Sequence, residues 1–284
     1  MAHKTAIIKL VSGMEVEMRE LLLADESDLA KSRSGDRSLA TRTLFQVMEN
    51  CTVSVVSPGP YASLGGKINW EKVLTGDFLD AMLQLRVLSY SEGDKLQVPD
   101  IRCPSCRAKF TWEVDIVKDL RRQVLSAQSF EAIKSSTPLS VEVNGSKVLF
   151  KLPTGETESL YRKLSKQYLG RDMASGLRSR IVDVVDADGT KVERRDLMDW
   201  LDGGEVGKSK YPGLTSADAE LIRDAMDKQD AGVDLQVAAT CPEPDCGQAV
   251  YFDLPFDKIF LPGASIQRRK MERRQPPKEE SLED

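Results

Sequence analysis

Histidine is all but missing from this sequence: His3 is the one example in 284 residues. Charge-relay catalysis and histidine-built metal sites therefore have almost no material to work with. Long apolar runs are missing too. None approaches the roughly 20 residues that span a bilayer, and the opening Met-Ala-His-Lys-Thr is no basic region leading into an apolar stretch, so the expectation is a cytoplasmic protein with no membrane segment. A basic excess is lacking as well, since 40 Lys and Arg stand against 45 Asp and Glu for a net charge of -5. That balance does not suit a chain built globally to hold a polyanion. Cysteines number five, too few and too unevenly spread for a disulfide scaffold, and the sequons at Asn50 and Asn144 carry no meaning in a cytosol.

Two further signatures fail on spacing. Gly203-Gly204-Glu205-Val206-Gly207-Lys208-Ser209 lacks the Gly-x4-Gly-Lys interval of a phosphate loop and reads as a flexible loop. Asp183, Asp186 and Asp188 suggest a calcium loop, but counted from Asp183 the glycine is out of register and the twelfth place falls on Arg194. A basic run of Arg162, Lys163, Lys166, Arg171, Arg178 and Arg180 has only Tyr161 and Tyr168 among it, which favours a solvated face over a nucleic-acid groove.

What is present is an ordinary globular composition, 40% hydrophobic and 30% charged, with helical and strand periodicities interleaved. Residues 5–10 and 15–19 read as strands around a turn at Gly13, and Asp25 is placed to cap a helix through 31. Ala40, Leu44, Val47, Met48 and Cys51 recur at helical spacing, with Cys51 read as a small core hydrophobe. A helix over 77–90 follows, capped by Thr75, then strands at 95–102 and 110–115, a helix over 117–127 and a polar linker over 134–138. The Asn144-Gly145 pair predicts a tight hairpin within 141–148. Helices are expected over 158–168 and 194–201, with an extended segment at 181–185 between them. A helix through 227 is opened by a capping box of Thr215 and Asp218, and strands follow at 234–240 and 249–254.

The chemistry is concentrated in two turns, Cys103-Pro104-Ser105-Cys106 and Cys241-Pro242-Glu243-Pro244-Asp245-Cys246. Each follows a helix, a short turn and a strand, and each leads into another strand, which suggests an internal duplication. Structural zinc takes four thiolate or imidazole ligands in a tetrahedron, and two such turns supply four sulfurs with none to spare. The site predicted is therefore Cys103, Cys106, Cys241 and Cys246 on one zinc ion, a long-range clasp between the repeats. With no open position for water the ion is structural and the protein is no enzyme. A redox pair, separate disulfides and a metal-free cluster are the competing readings; the redox one is weakest, because Cys103 does not open a helix that would stabilise a thiolate. Gly247 follows Cys246 where the backbone bends around a metal, whereas Arg107 holds the matching place after Cys106.

These residues expect an α+β fold: two related helix-strand-knuckle-strand halves forming a zinc-ribbon-like core with helical surroundings. The first half is assigned to 1–128 and the second to 138–262. A disordered charged tail is assigned to 263–284, running from Arg268, Arg269, Lys270, Arg273 and Arg274 to an acidic end.

The same features resemble the T-even-type baseplate hub assembly family of phages and related contractile injection particles. The resemblance rests on the strand-to-helix entry at 16–28 and on Leu74-Thr75-Gly76-Asp77 running to Leu85-Arg86-Val87-Leu88-Ser89-Tyr90. It rests also on the Cys-Pro-Ser-Cys knuckle, on Lys151-Leu152-Pro153-Thr154-Gly155, and on the closing knuckle before Phe252-Asp253-Leu254-Pro255. It implies a non-catalytic protein of baseplate hub assembly, either a transient chaperone or a retained component, touching hub or tape-measure proteins. It implies no small-molecule substrate, and a place in the host cytoplasm during assembly or in the virion tail afterwards. The alternative is a zinc-ribbon nucleic-acid adaptor; Arg102, Arg107 and Lys109 cluster at the first knuckle, but Glu243 and Asp245 make the second acidic.

Overall fold

The computed structural model describes residues 3–31, 37–61, 68–204 and 209–254. The chain opens with a hairpin of β1 (Thr5–Lys9) and β2 (Glu15–Arg19), turned at Gly13 with φ +86. Helices α1 (Leu23–Lys31) and α2 (Arg37–Cys51) follow, and β3 (Thr52–Ser57) leaves α2 directly to pair with β2 in a sheet of order β1-β2-β3. Then come α3 (Thr75–Ser89) and a second hairpin, β4 (Lys95–Arg102) with β5 (Lys109–Asp115). A connection of β6 (Arg122–Gln123) and α4 (Ala127–Lys134) leads to the hairpin β7 (Leu139–Val143) and β8 (Ser146–Phe150). Asn144 and Gly145 both sit at positive φ, as a two-residue primed turn requires.

From here the opening order recurs. Helices α5 (Gly155–Gln167) and α6 (Asp172–Arg180) are followed directly by β9 (Ile181–Val185), which pairs with β8 in a sheet of order β7-β8-β9. The short α7 (Leu197–Asp202) and then α8 (Ser216–Gln229) precede β10 (Gly232–Val233), β11 (Gln236–Thr240) and β12 (Ala249–Asp253). Hairpin, two helices, third strand, helix and cysteine-bearing hairpin thus occur twice in one α+β chain. In the cysteine-bearing hairpins Gln97 faces Glu113 and Gln236 faces Asp253, but β4–β5 has a register shift between Val98 and Ile101 that β11–β12 lacks.

Helix α3 is the pillar of the first repeat. Met82, Leu83 and Leu85 are fully buried, and so are two of its acids. Asp77 accepts from the Ser12 amide at 2.9 Å and from the Tyr61 hydroxyl at 2.7 Å, tying the β1–β2 turn and a loop to the helix. Asp80 pairs with Arg122 at 3.0 Å. Burial raises both carboxyls above the usual range, and these partners pull against it. The β6–β10 ladder joins the two repeats here, and Gly76 lies so close to β10 that an added Cβ would meet the Ala231 carbonyl oxygen at 1.8 Å.

Three expectations are corrected. The helix over 117–127 does not form: Arg122 and Gln123 are drawn into the ladder with β10, and the helix starts later, with Ser126 capping α4 by accepting from the Ser129 amide. Asp25 is no N-cap; it lies inside α1, accepts from the Leu22 amide at 2.8 Å and pairs with Arg19 at 2.7 Å. Thr75 belongs to α3, with Leu74 at the cap position. Helix α6 was not anticipated. By contrast the box of Thr215 and Asp218 is present, as is one of Thr154 and Thr157 opening α5. Residues 263–284 and the 205–208 part of the glycine-rich loop lie outside the described residues.

Candidate metal centre

Each cysteine turn is held by the hairpin that carries it. In the first, the Cys103 amide donates to the Ala108 carbonyl at 3.0 Å, the Arg107 amide donates back to the Cys103 carbonyl at 3.0 Å, and β5 begins two residues on. In the second, the Cys241 amide donates to the Gln248 carbonyl at 2.9 Å, while the Cys246 amide donates to the Glu243 carbonyl at 3.0 Å. The two extra residues of the longer turn lie before that inner closure, so the exits correspond: Arg107 has φ +63 and Gly247 φ +55. Both are left-handed, a conformation that glycine adopts freely and arginine only under strain.

The predicted site residues come together. All four sulfurs of Cys103, Cys106, Cys241 and Cys246 lie within 4.8 Å of one another. Two approaches run between the hairpins, Cys103 Sγ to Cys246 Sγ at 3.6 Å and Cys106 Sγ to Cys241 Sγ at 3.6 Å. Exchanging the repeats converts one of these pairs into the other, so the cluster has approximate two-fold symmetry. A disulfide needs sulfurs about 2.05 Å apart, so these are free thiols. A tetrahedral ion with ~2.3 Å metal–sulfur bonds sets its ligands about 3.8 Å apart, close to the spacing found. The four cysteines fit a metal ion.

Burial and charge support the same reading. Cys103 and Cys241 are buried, Cys246 is half-buried and Cys106 is exposed. The Cys106 amide, with that of Ser105, brings the Cys103 thiol down to about 7 against the effect of burial. At Cys241 the Glu243 amide pulls downward but is outweighed by burial and the three neighbouring thiols, leaving it at about 12. One thiolate forms readily and resists company, and a cation removes that repulsion. No carboxylate or imidazole joins the cluster among the described residues.

The other motifs are taken up internally. Cys51 is fully buried at the end of α2, 3.9 Å from Asp25, and burial pushes its thiol up to about 12, as suits a core residue. Asp186 accepts from the Ser146 hydroxyl, Asp188 from the Thr190 amide, and Asp183 pairs with Lys191 at 2.5 Å. Arginines of the basic run are spent within the fold. Arg162 donates to Thr41, Arg171 pairs with Asp202, Arg178 donates to the Ile181 and Arg194 carbonyls, and Arg180 pairs with Asp230 at 2.5 Å. Sequence reasoning missed this use of the arginines and the two-fold disposition of the sulfurs; the repeated Cys-Pro was the available signal for the latter.

Compared with known proteins, the chain matches the family model described as T4 bacteriophage base plate protein over residues 1–260. The chain belongs to that family. No curated protein and no solved structure matches it. Membership in the base plate family makes this a phage base plate structural protein that interacts with other base plate components. Among the described residues, no helix is long and apolar enough to cross a membrane.

Proposed function

We propose that this base plate protein acts without catalysis in assembly of the tail hub, as a chaperone or a retained component, and that one structural zinc ion clasps its two halves. The observation that carries the reading is the convergence of four sulfurs, two from each repeat, at cross-hairpin distances of 3.6 Å. Zinc suits the set because four thiolates favour a soft, borderline ion, and a closed tetrahedron leaves no position for a reacting water. The repeats, taken as 1–128 and 138–262, then form a zinc-ribbon-like core from the hairpins β4–β5 and β11–β12, with Cys103, Cys106, Cys241 and Cys246 as ligands. Such a body offers fixed surfaces to hub or tape-measure proteins, first in the host cytoplasm.

Co-expression of the chain with the hub and tape-measure proteins of its own tail, followed by purification, tests the partner. Stoichiometric recovery with one of them is expected. Recovery with tail nucleic acid instead, abolished by salt, would support a zinc-ribbon adaptor. Recovery with neither would remove the hub assignment while leaving base plate membership intact.

A further inference from the structure

A cavity lies away from the cysteines, where the start of the second sheet meets the loop ahead of α3. It is an open groove of about 670 Å³. Leu74, Leu139, Phe150 and Leu152 make its floor, and Val182, 47% exposed, stands at its edge. Lys72, Lys134 and Lys151 line it, all exposed, with Glu156 as the carboxylate beside them. Among the described residues none of the three lysines has a carboxylate partner, whereas Lys9, Lys95, Lys118, Lys191 and Lys210 all do. Three amines against one carboxylate over an apolar floor recognise an acidic segment that carries an apolar side chain.

This chain contains such a segment. In residues 279–284, Glu279, Glu280, Glu283 and Asp284 surround Leu282. The roughly two dozen residues after Leu254 reach about 80 Å when extended, against a radius of gyration of about 19 Å for a body of this length. Tethering gives the segment a millimolar effective concentration, so weak individual contacts are enough to populate docking. We propose that residues 279–284 dock in this groove of the same chain, with Leu282 over Leu139 and Leu152 and the carboxylates on Lys72, Lys134 and Lys151. The proposal goes beyond the hub reading and does not depend on it.

Zero-length carbodiimide coupling of the full chain at low micromolar concentration, mapped by mass spectrometry, tests it. Links from 279–284 are expected on Lys72, Lys134 and Lys151 several-fold above those on exposed lysines elsewhere, such as Lys163 and Lys166. Leu282→Asp adds a carboxylate yet removes the apolar anchor, and it lowers these links several-fold if docking is real. Links spread evenly over all lysines, absent from the three, or indifferent to Leu282→Asp overturn the proposal. In a mixture of isotopically light and heavy chains, light-to-heavy links would overturn it in favour of a second copy as the donor.

Discussion

The two cysteine turns do the same work with different means. The first closes in four residues and leaves through Arg107; the second takes six and leaves through Gly247. Their hairpins differ too, β4–β5 having a register shift that β11–β12 lacks, yet the residues after Cys106 and Cys246 adopt the same left-handed bend. The requirement therefore comes from the cluster: four sulfurs must meet, and backbone strain at Arg107 is tolerated to bring them there. The join between the repeats is unequal in another way, since α3 presses Gly76 onto β10 and the described residues show no like contact for α8.

The largest effects should come from the buried sulfurs. Cys103→Ser and Cys241→Ser are expected to lose the ion alike and to destabilise the chain by about 3 kcal/mol or more, because each removes one thiolate from an equivalent corner. Zinc content and thermal unfolding of both variants check this; retention of zinc by one alone would break the two-fold equivalence. Next comes the unequal join. Gly76→Ala places a methyl group on the Ala231 carbonyl and should cost about 2–4 kcal/mol. Gly232→Ala faces Gly76 at 3.4 Å and should cost under about 1 kcal/mol, the pair being compared by denaturant midpoint. The smallest effects concern the exits. Arg107→Gly should stabilise by up to about 1 kcal/mol, and Gly247→Ala, whose Cβ meets nothing within 4 Å, should cost about 1 kcal/mol through its φ alone. Equal responses at both positions would mean that the bend carries no strain.

A pH effect is expected in the second repeat, as at the buried acids of α3 in the first. Asp230, just after α8, is raised to about 6 by burial, with Arg180 opposing. An acid held above its unfolded value binds its proton more tightly when folded, so its contribution to stability falls as pH rises from about 4 to about 6. Asp230→Asn should flatten that segment of the stability–pH curve, measured by urea unfolding.

Much of this was legible in the sequence wherever local chemistry decides. Asn144-Gly145, the Thr215–Asp218 box and the strands on either side of each cysteine turn need only their own neighbours. The four cysteines were readable as one cluster because ligand number and spacing are simple constraints. Helix 117–127 failed because a distant partner, Gly232–Val233, claims Arg122 and Gln123 for a ladder. Helix α6 escaped notice because Asp172-Met173-Ala174-Ser175-Gly176 carries little helical patterning, and packing against α5 and α7 supplies what propensity does not. The duplication showed only at the cysteines; its hairpin, paired helices and third strand share an order that the two stretches of sequence do not display.

Native mass spectrometry of the purified full chain tests the central claim most directly, because it counts metal and chains together. The account predicts a single zinc ion per chain, released by acid or chelator as the thiolates are protonated or competed away. A metal-free chain that is equally stable, or one carrying two ions, would contradict a clasp built from all four cysteines.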